Sequence, residues 1–212
     1  GYTGTSSAAA IRRGLNPSHY WTSRRGARSI SRPAGPALKV PTNLSWATAS
    51  TLPNAIETLA EQLIRQSLSL VTAESCTGGL VSAALTSVPG SSDVFDRGFV
   101  TYSNSAKAQM LSVDPVLIAK HGAVSEEVAA AMAKGAVTHS NANLAVSITG
   151  IAGPGGSDHK PEGMVCFGIA SKGPTGDMSV ETETCQFGAL GRSNARQASV
   201  AHALDLLILA LY

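Results

Sequence analysis

Three short stretches hold the residues able to do covalent chemistry. The first, Thr72 to Gly79, reads T-A-E-S-C-T-G-G and sets Ser75 beside Cys76 between a buried apolar run and a helix-like one. A serine there stands where a helix begins, and the main-chain N–H groups of Cys76, Thr77, Gly78 and Gly79 lack intrahelical partners. Such donors hold a phosphate or the oxyanion of an acyl transfer. Ser is also a preferred helix cap, so Ser75 alone supports either role. Cys76 competes as nucleophile, because a helix start lowers a thiol pKa. No histidine lies nearby to activate it, and a first-turn position points it towards the core.

The second stretch, G-F-V-T-Y-S-N-S-A-K from Gly98 to Lys107, supplies what a serine nucleophile needs. A desolvated lysine can take the hydroxyl proton, with a tyrosine assisting. Tyr102 sits at a strand end and Lys107 about one helical turn later, within reach of a serine at the carboxyl edge of a neighbouring strand, where open α/β sheets bind ligands. The same residues also fit a surface lysine and a half-buried tyrosine. The third stretch begins at Thr149-Gly150 and continues through a glycine-rich loop to Ser157. Its glycines allow close backbone approach to a ligand, but it matches neither a P-loop nor a dinucleotide fingerprint. Arg192 and Arg196, four residues apart on a helix, can grip a phosphate or carboxylate, or form a solvated face.

The elements that must position these groups are legible from periodicity. Ile56, Leu59, Ala60, Leu63 and Ile64 predict an amphipathic helix from Pro53 to about Gln66, with Thr51 or Asn54 as cap. Leu68 to Ala73 reads as a buried strand, Cys76 to Val88 as a helix, Phe99 to Tyr102 as a second strand, and Ser105 to Leu111 as a short helix. Ser125-Glu126-Glu127 starts a helix with acids where they favour its dipole, running to about Ser140. Leu144 to Thr149 is a third strand. Met164 to Ser171 and Met178 to Gln186 pair across a Gly-Pro-Thr-Gly turn, and a last helix runs from about Ser193 to Tyr212. Helices alternating with strands, then a hairpin, predict a single three-layer α/β/α sandwich with a mixed sheet over residues 49–212.

Composition bounds the rest. The chain has 212 residues, 43% hydrophobic and 14% charged, which suits one globular domain. No apolar run reaches the roughly 18 to 20 residues of a membrane span. Three scattered cysteines make no disulfide framework, and neither they nor the five histidines show metal-ligand spacing, so no metal and no cofactor are expected. The net charge of +2 is unevenly spread: seven of the sixteen basic residues precede the first acid, Glu57, so the leader carries +7 and the body −5. Residues 1–48 are Ser-, Arg-, Gly- and Pro-rich and without periodicity, the composition of a targeting segment or a disordered arm. An organellar, mitochondrial-matrix address is the expectation, with a basic arm for an anionic partner such as RNA, or a cloning remnant, as alternatives; otherwise the protein is cytoplasmic.

Taken together, T-A-E-S-C-T-G-G, G-F-V-T-Y-S-N-S-A-K, H-G-A-V-S-E-E-V and S-I-T-G-I-A-G-P-G-G, in this order and spacing, resemble the nicotinamide-nucleotide amidases, the family of the CinA carboxy-terminal domain. The resemblance covers about Ala55 to Leu211. It implies hydrolysis of the carboxamide of nicotinamide mononucleotide to nicotinic acid mononucleotide and ammonia, with Ser75 as nucleophile, Lys107 as general base and Tyr102 assisting. Substrate contacts would fall on Cys76, Thr77, Gly78, Gly79, Asn104, Thr149, Gly150, Arg192 and Arg196, and the protein would be a homo-oligomer. One departure stands out: the family's Gly-Asp-Arg before the last helix is Leu190-Gly191-Arg192 here, so the aspartate is missing. That departure and the basic leader keep a second reading open, a non-catalytic structural or RNA-associated subunit of a large assembly that retains the amidase fold.

Overall fold

The computed structural model describes residues 52–157 and 159–212; the predicted leader, residues 1–48, and the proposed Thr51 cap lie outside them. The chain opens with helix α1 (Leu52–Gln66), then strand β1 (Leu70–Glu74), helix α2 (Leu80–Leu85), strand β2 (Phe95–Val100), helices α3 (Asn104–Leu111), α4 (Pro115–His121) and α5 (Glu126–Thr138), strands β3 (Leu144–Gly150), β4 (Met164–Lys172) and β5 (Met178–Gln186), and helix α6 (Arg192–Leu209). The sheet order is β2-β1-β3-β4-β5. β1 pairs in parallel with β2 and β3, whereas β4 runs antiparallel to both β3 and β5. The sheet is therefore mixed, as the pattern of elements predicts.

Both central parallel strands are buried along almost their whole length, because helices cover both faces. On one face Ile56, Leu59 and Leu63 of α1, Val81 and Leu85 of α2 and Leu204 and Leu207 of α6 pack over Val146, Ile148 and Phe167 of the sheet. On the other, Leu111 of α3, Ile118 of α4 and Val128, Met132 and Ala136 of α5 pack over Val71, Ala73, Ala145 and Ala170. Each fully buried Leu or Ile stabilises the fold by about 1.5–3 kcal/mol. Within the second layer α3 and α5 nearly touch: a Cβ at Gly135 would lie 2.1 Å from the Leu111 carbonyl oxygen. Among the described residues no helix is long and apolar enough to cross a membrane.

Several boundaries differ from expectation. Strand β2 begins at Phe95, four residues early; it is a sheet edge with exposed Asp96 and Arg97, so it carries no apolar alternation. Helix α4 was not anticipated, although Asp114 caps it through the Val116 amide and Pro115 opens it. The predicted helix from Cys76 shrinks to Leu80–Leu85. Gly78 and Gly79 take φ of +60° and +97°, a left-handed pair that turns the chain between strand and helix, and other residues adopt it only at a cost.

Candidate active site

Ser75 follows β1 directly and is pinned to the sheet: its amide donates to the Ile148 carbonyl of β3 at 2.9 Å, while the Thr101 amide beyond β2 donates to the Glu74 carbonyl at 2.8 Å. The serine thus stands at the carboxyl end of the central strand. It is not the cap of α2, because the turn of Ser75 to Gly79 intervenes. The helix start is capped instead by Glu74, fully buried, whose carboxylate accepts from the amides of Gly79 (2.9 Å), Val81 (3.1 Å) and Ser82 (2.8 Å), and from the hydroxyls of Ser82 (2.7 Å) and Thr72 (3.3 Å). This corrects the predicted cradle of four free amides. Gly79 gives its N–H to Glu74 and Gly78 gives its to the Ser75 carbonyl at 3.1 Å, while the amides of Cys76 and Thr77 face the Cys76 thiol. The sequence offered a sign of Glu74: an acid just before a helix start, where it offsets the dipole.

Lys107 reaches Ser75 from α3. Ser103 caps that helix by accepting from the Ala106 amide, and Lys107 lies on its inward face with Leu111, the two buried residues of the helix. The ammonium nitrogen is 3.0 Å from Ser75 Oγ, 2.8 Å from the Thr101 carbonyl and 3.4 Å from the Tyr102 carbonyl. Lys107 is 1% exposed and Ser75 8%. Burial lowers the Lys107 pKa from its ordinary 10.5. With three acceptors, the charged amine donates to all of them. Once neutral, it keeps two donors for the carbonyls and presents its lone pair to Ser75 Oγ, the arrangement of a general base.

The Cys76 thiol is pushed up to about 11, chiefly by burial, against smaller opposing effects of the Cys76 and Thr77 amides and of Lys107. It stays protonated at neutral pH, and its neighbour is the residue paired with an amine.

The remaining predicted residues separate. Tyr102 contributes its carbonyl to Lys107, but its side chain is 61% exposed and its hydroxyl accepts from Arg192 Nη2 at 3.0 Å; no hydrogen bond joins that hydroxyl to Ser75 or Lys107. The expected phenol beside the amine is therefore a phenol beside a guanidinium. Arg192 also donates to the Gly153 carbonyl at 3.1 Å. Arg196 donates to the Thr77 carbonyl at 2.9 Å, bracing the serine turn, and its Nε is buried without a partner. The hydroxyls of Thr77 and Thr101, which lie between Ser75 and Lys107 in sequence, are buried without partners too. Thr149 donates to the Ala123 carbonyl at 2.7 Å and supports the loop after α4. Gly150 packs against β4, where a Cβ would meet Val165 at 2.7 Å. Asn104 lines a cavity of about 270 Å³ between α3 and α4, with Ser105, Ala108, Pro115, Ile118 and Ala119. No nucleophile–base pair lines that cavity.

Two further residues escaped the sequence reading. Glu162 accepts from the Gly155 amide at 2.6 Å and the Gly191 amide at 3.2 Å, tying the glycine loop to the start of α6. Gly191 takes the N-cap position, with φ 76° and ψ 154° and no side-chain cap. Lys160 donates to the carbonyls of His121 and Val124, closing the end of α4. Neither carries a local motif; both act across long sequence separations.

A buried serine hydrogen-bonded to a desolvated lysine, at the carboxyl edge of a mixed sheet, defines a three-layer α/β protein built around a Ser–Lys dyad. The CinA C-terminal domain family matches residues 53–211, and the chain belongs to that family. It is similar to a CinA-like protein of Chlorobaculum tepidum, 55% identical over 126 residues that make up 59% of this chain and 30% of the relative. A putative competence-damage inducible protein of Symbiobacterium thermophilum is 54% identical over 59% of this chain and 29% of its own length. The chain thus spans about 30% of the length of these curated relatives. Among solved structures, the competence/damage inducible protein CihA of Agrobacterium tumefaciens is similar with a TM-score of 0.66 and 46% identity, over 74% of this chain and 95% of that one. The competence damage-inducible protein A of Klebsiella pneumoniae gives 0.71 and 34%, over 76% and 96%.

Proposed function

We propose that the protein is an amidohydrolase that converts nicotinamide mononucleotide to nicotinic acid mononucleotide and ammonia. The observation that carries this reading is the 3.0 Å separation of Lys107 Nζ and Ser75 Oγ inside a buried niche. Neutral Lys107 takes the Ser75 proton as Oγ attacks the carboxamide carbon, and the oxyanion takes the Cys76 and Thr77 amides. Lys107 returns the proton to the departing nitrogen, ammonia leaves, and a water deprotonated by the same amine releases the carboxylate and restores Ser75. Arg192, exposed beside Tyr102 and the glycine loop, would take the substrate phosphate. Arg196 and the Glu74 cap hold the serine turn in place.

The test is ammonia release from nicotinamide mononucleotide by the purified chain. Turnover is expected in the wild type and is abolished in Ser75→Ala; a well-folded wild type without turnover refutes the reading. The +7 leader supports a second reading, a subunit that anchors to RNA or another polyanion in a large organellar assembly. In that case deleting residues 1–48 frees the protein from a fast-sedimenting particle, and unchanged sedimentation removes the reading.

A further inference from the structure

Away from the dyad, the fold gathers three metal-binding side chains that are scattered in sequence. Glu183 and Cys185 alternate along the edge strand β5, facing α6, and His202 projects from α6 towards them. Among the described residues, these make the one group of three whose ligand atoms all lie within 4.8 Å of one another. Cys185 Sγ is 3.2 Å from His202 Nε2, His202 Nε2 is 3.4 Å from Glu183 Oε2, and Cys185 Sγ is 3.6 Å from Glu183 Oε1. Metal–ligand lengths of about 2.3 Å to sulfur, 2.0–2.1 Å to imidazole and 2.0–2.2 Å to carboxylate, at tetrahedral angles, set ligand–ligand edges of about 3.3–3.6 Å. The three side chains thus already outline one face of a tetrahedron, with Glu183 needing only a small turn of its carboxylate.

We propose that Glu183, Cys185 and His202 form a binding site for a zinc-class divalent cation that ties β5 to α6. Thiolate, imidazole and carboxylate together suit zinc better than magnesium or calcium, which take oxygen ligands. The ligands are pre-positioned. The His202 ring is wedged edge-on between Phe167 (centroids 4.8 Å apart) and Phe187 (6.2 Å), so its Nε2 is aimed without added entropic cost. Thr182 and Thr184, which alternate with these residues, are held on the opposite face by Glu126 at 2.8 and 2.7 Å, which fixes the register of the strand. Glu183 is 33% exposed while His202 is 9%, so the cation enters past the carboxylate and a water completes its coordination.

Cation uptake makes one bond to each ligand and releases the Cys185 thiol proton to solvent, with no change of oxidation state. The role is structural: binding to the folded chain alone raises its stability by mass action, which suits an edge strand otherwise paired on one side.

The experiment uses the full untagged chain, stripped with a chelator and titrated with zinc against a chromophoric competitor, then with cobalt as a spectroscopic probe. One equivalent of zinc, a thiolate-to-cobalt charge-transfer band and a zinc-dependent rise in Tm are expected, in the wild type and equally in Ser75→Ala and Cys166→Ser. Cys185→Ser should lose the band and weaken zinc at least about 100-fold, and Glu183→Gln about 10-fold, with circular dichroism checking the fold of each. The proposal is overturned if the wild type takes up no stoichiometric zinc, which leaves a hydrogen-bonded cluster only. It is equally overturned if Cys185→Ser binds as well as the wild type. Neither readout depends on amidase turnover.

Discussion

Replacing Glu74 by Gln changes one heavy atom in a side chain that touches no solvent, yet it should cost about as much as a core truncation. The carboxylate divides five donors between its oxygens: Oε2 serves the Gly79 and Val81 amides, and Oε1 serves the Ser82 amide and hydroxyl and the Thr72 hydroxyl. Glutamine keeps one acceptor oxygen. Its NH2 would face the Gly79 and Val81 amides in the Oε2 position and the Ser82 amide in the Oε1 position, where the two hydroxyls can turn to accept from it. Hydrogen bonds to a charged group contribute about 1.5–3 kcal/mol each, so losing one or two gives a destabilisation of about 1.5–6 kcal/mol. A loss of about 3 kcal/mol corresponds to a Tm lower by about 6–12 °C for a domain of this size. Urea unfolding gives the free energy and calorimetry the midpoint. Because Ser75 is the next residue, ammonia release should fall in the folded variant as well. A loss under about 1 kcal/mol would mean that the α2 start does not depend on this carboxylate, and the account of how the serine turn is held would be wrong.

Lys107→Met should lower turnover by about 10²–10⁴-fold, the usual contribution of a general base, while leaving the fold intact as judged by circular dichroism. Wild-type kcat/KM should rise with pH through the lowered Lys107 pKa, below 10.5, and flatten above it; a profile without that limb would exclude a neutral amine as base. The sign for stability follows: between the lowered value and 10.5 the unfolded chain holds more protons on this lysine than the folded one, so wild-type stability should rise with pH relative to Lys107→Met in urea titrations. Cys76→Ala should retain turnover within about tenfold, and iodoacetamide at neutral pH should leave Cys76 unmodified as mass spectrometry reads it, since its thiol lies near 11. Gly79→Ala forces a side chain to φ +97° with Val100 Cγ2 3.5 Å from the new Cβ and should destabilise by about 1–2 kcal/mol in thermal melts.

Much of this is readable in the sequence alone. The central strands β1 and β3 announce themselves as short apolar runs because helices cover both their faces, and the β4–β5 hairpin is marked by its turn. Ser75 and Lys107 were legible because one follows a strand end directly and the other lies one turn into the helix after the neighbouring strand. What stayed hidden has physical causes. An edge strand such as β2 needs no apolar alternation, and a helix as short as α4 shows too few turns for periodicity to register. The direction of the Tyr102 ring depends on Arg192, ninety residues away. The Glu183–Cys185–His202 group has no sequence spacing to find, since a strand and a helix bring it together only when packed.

The backbone at Gly191 has a bearing on anyone wishing to restore the residue the family carries there. With φ 76° and ψ 154°, the main chain occupies territory open to glycine alone, and Glu162 already holds its amide. Writing aspartate into that position would therefore not recreate the Asp-Arg junction that the resemblance implies. It would set a new side chain against a path drawn for none, so repair must redraw the loop from Gly188 onward and release Glu162 in the same step.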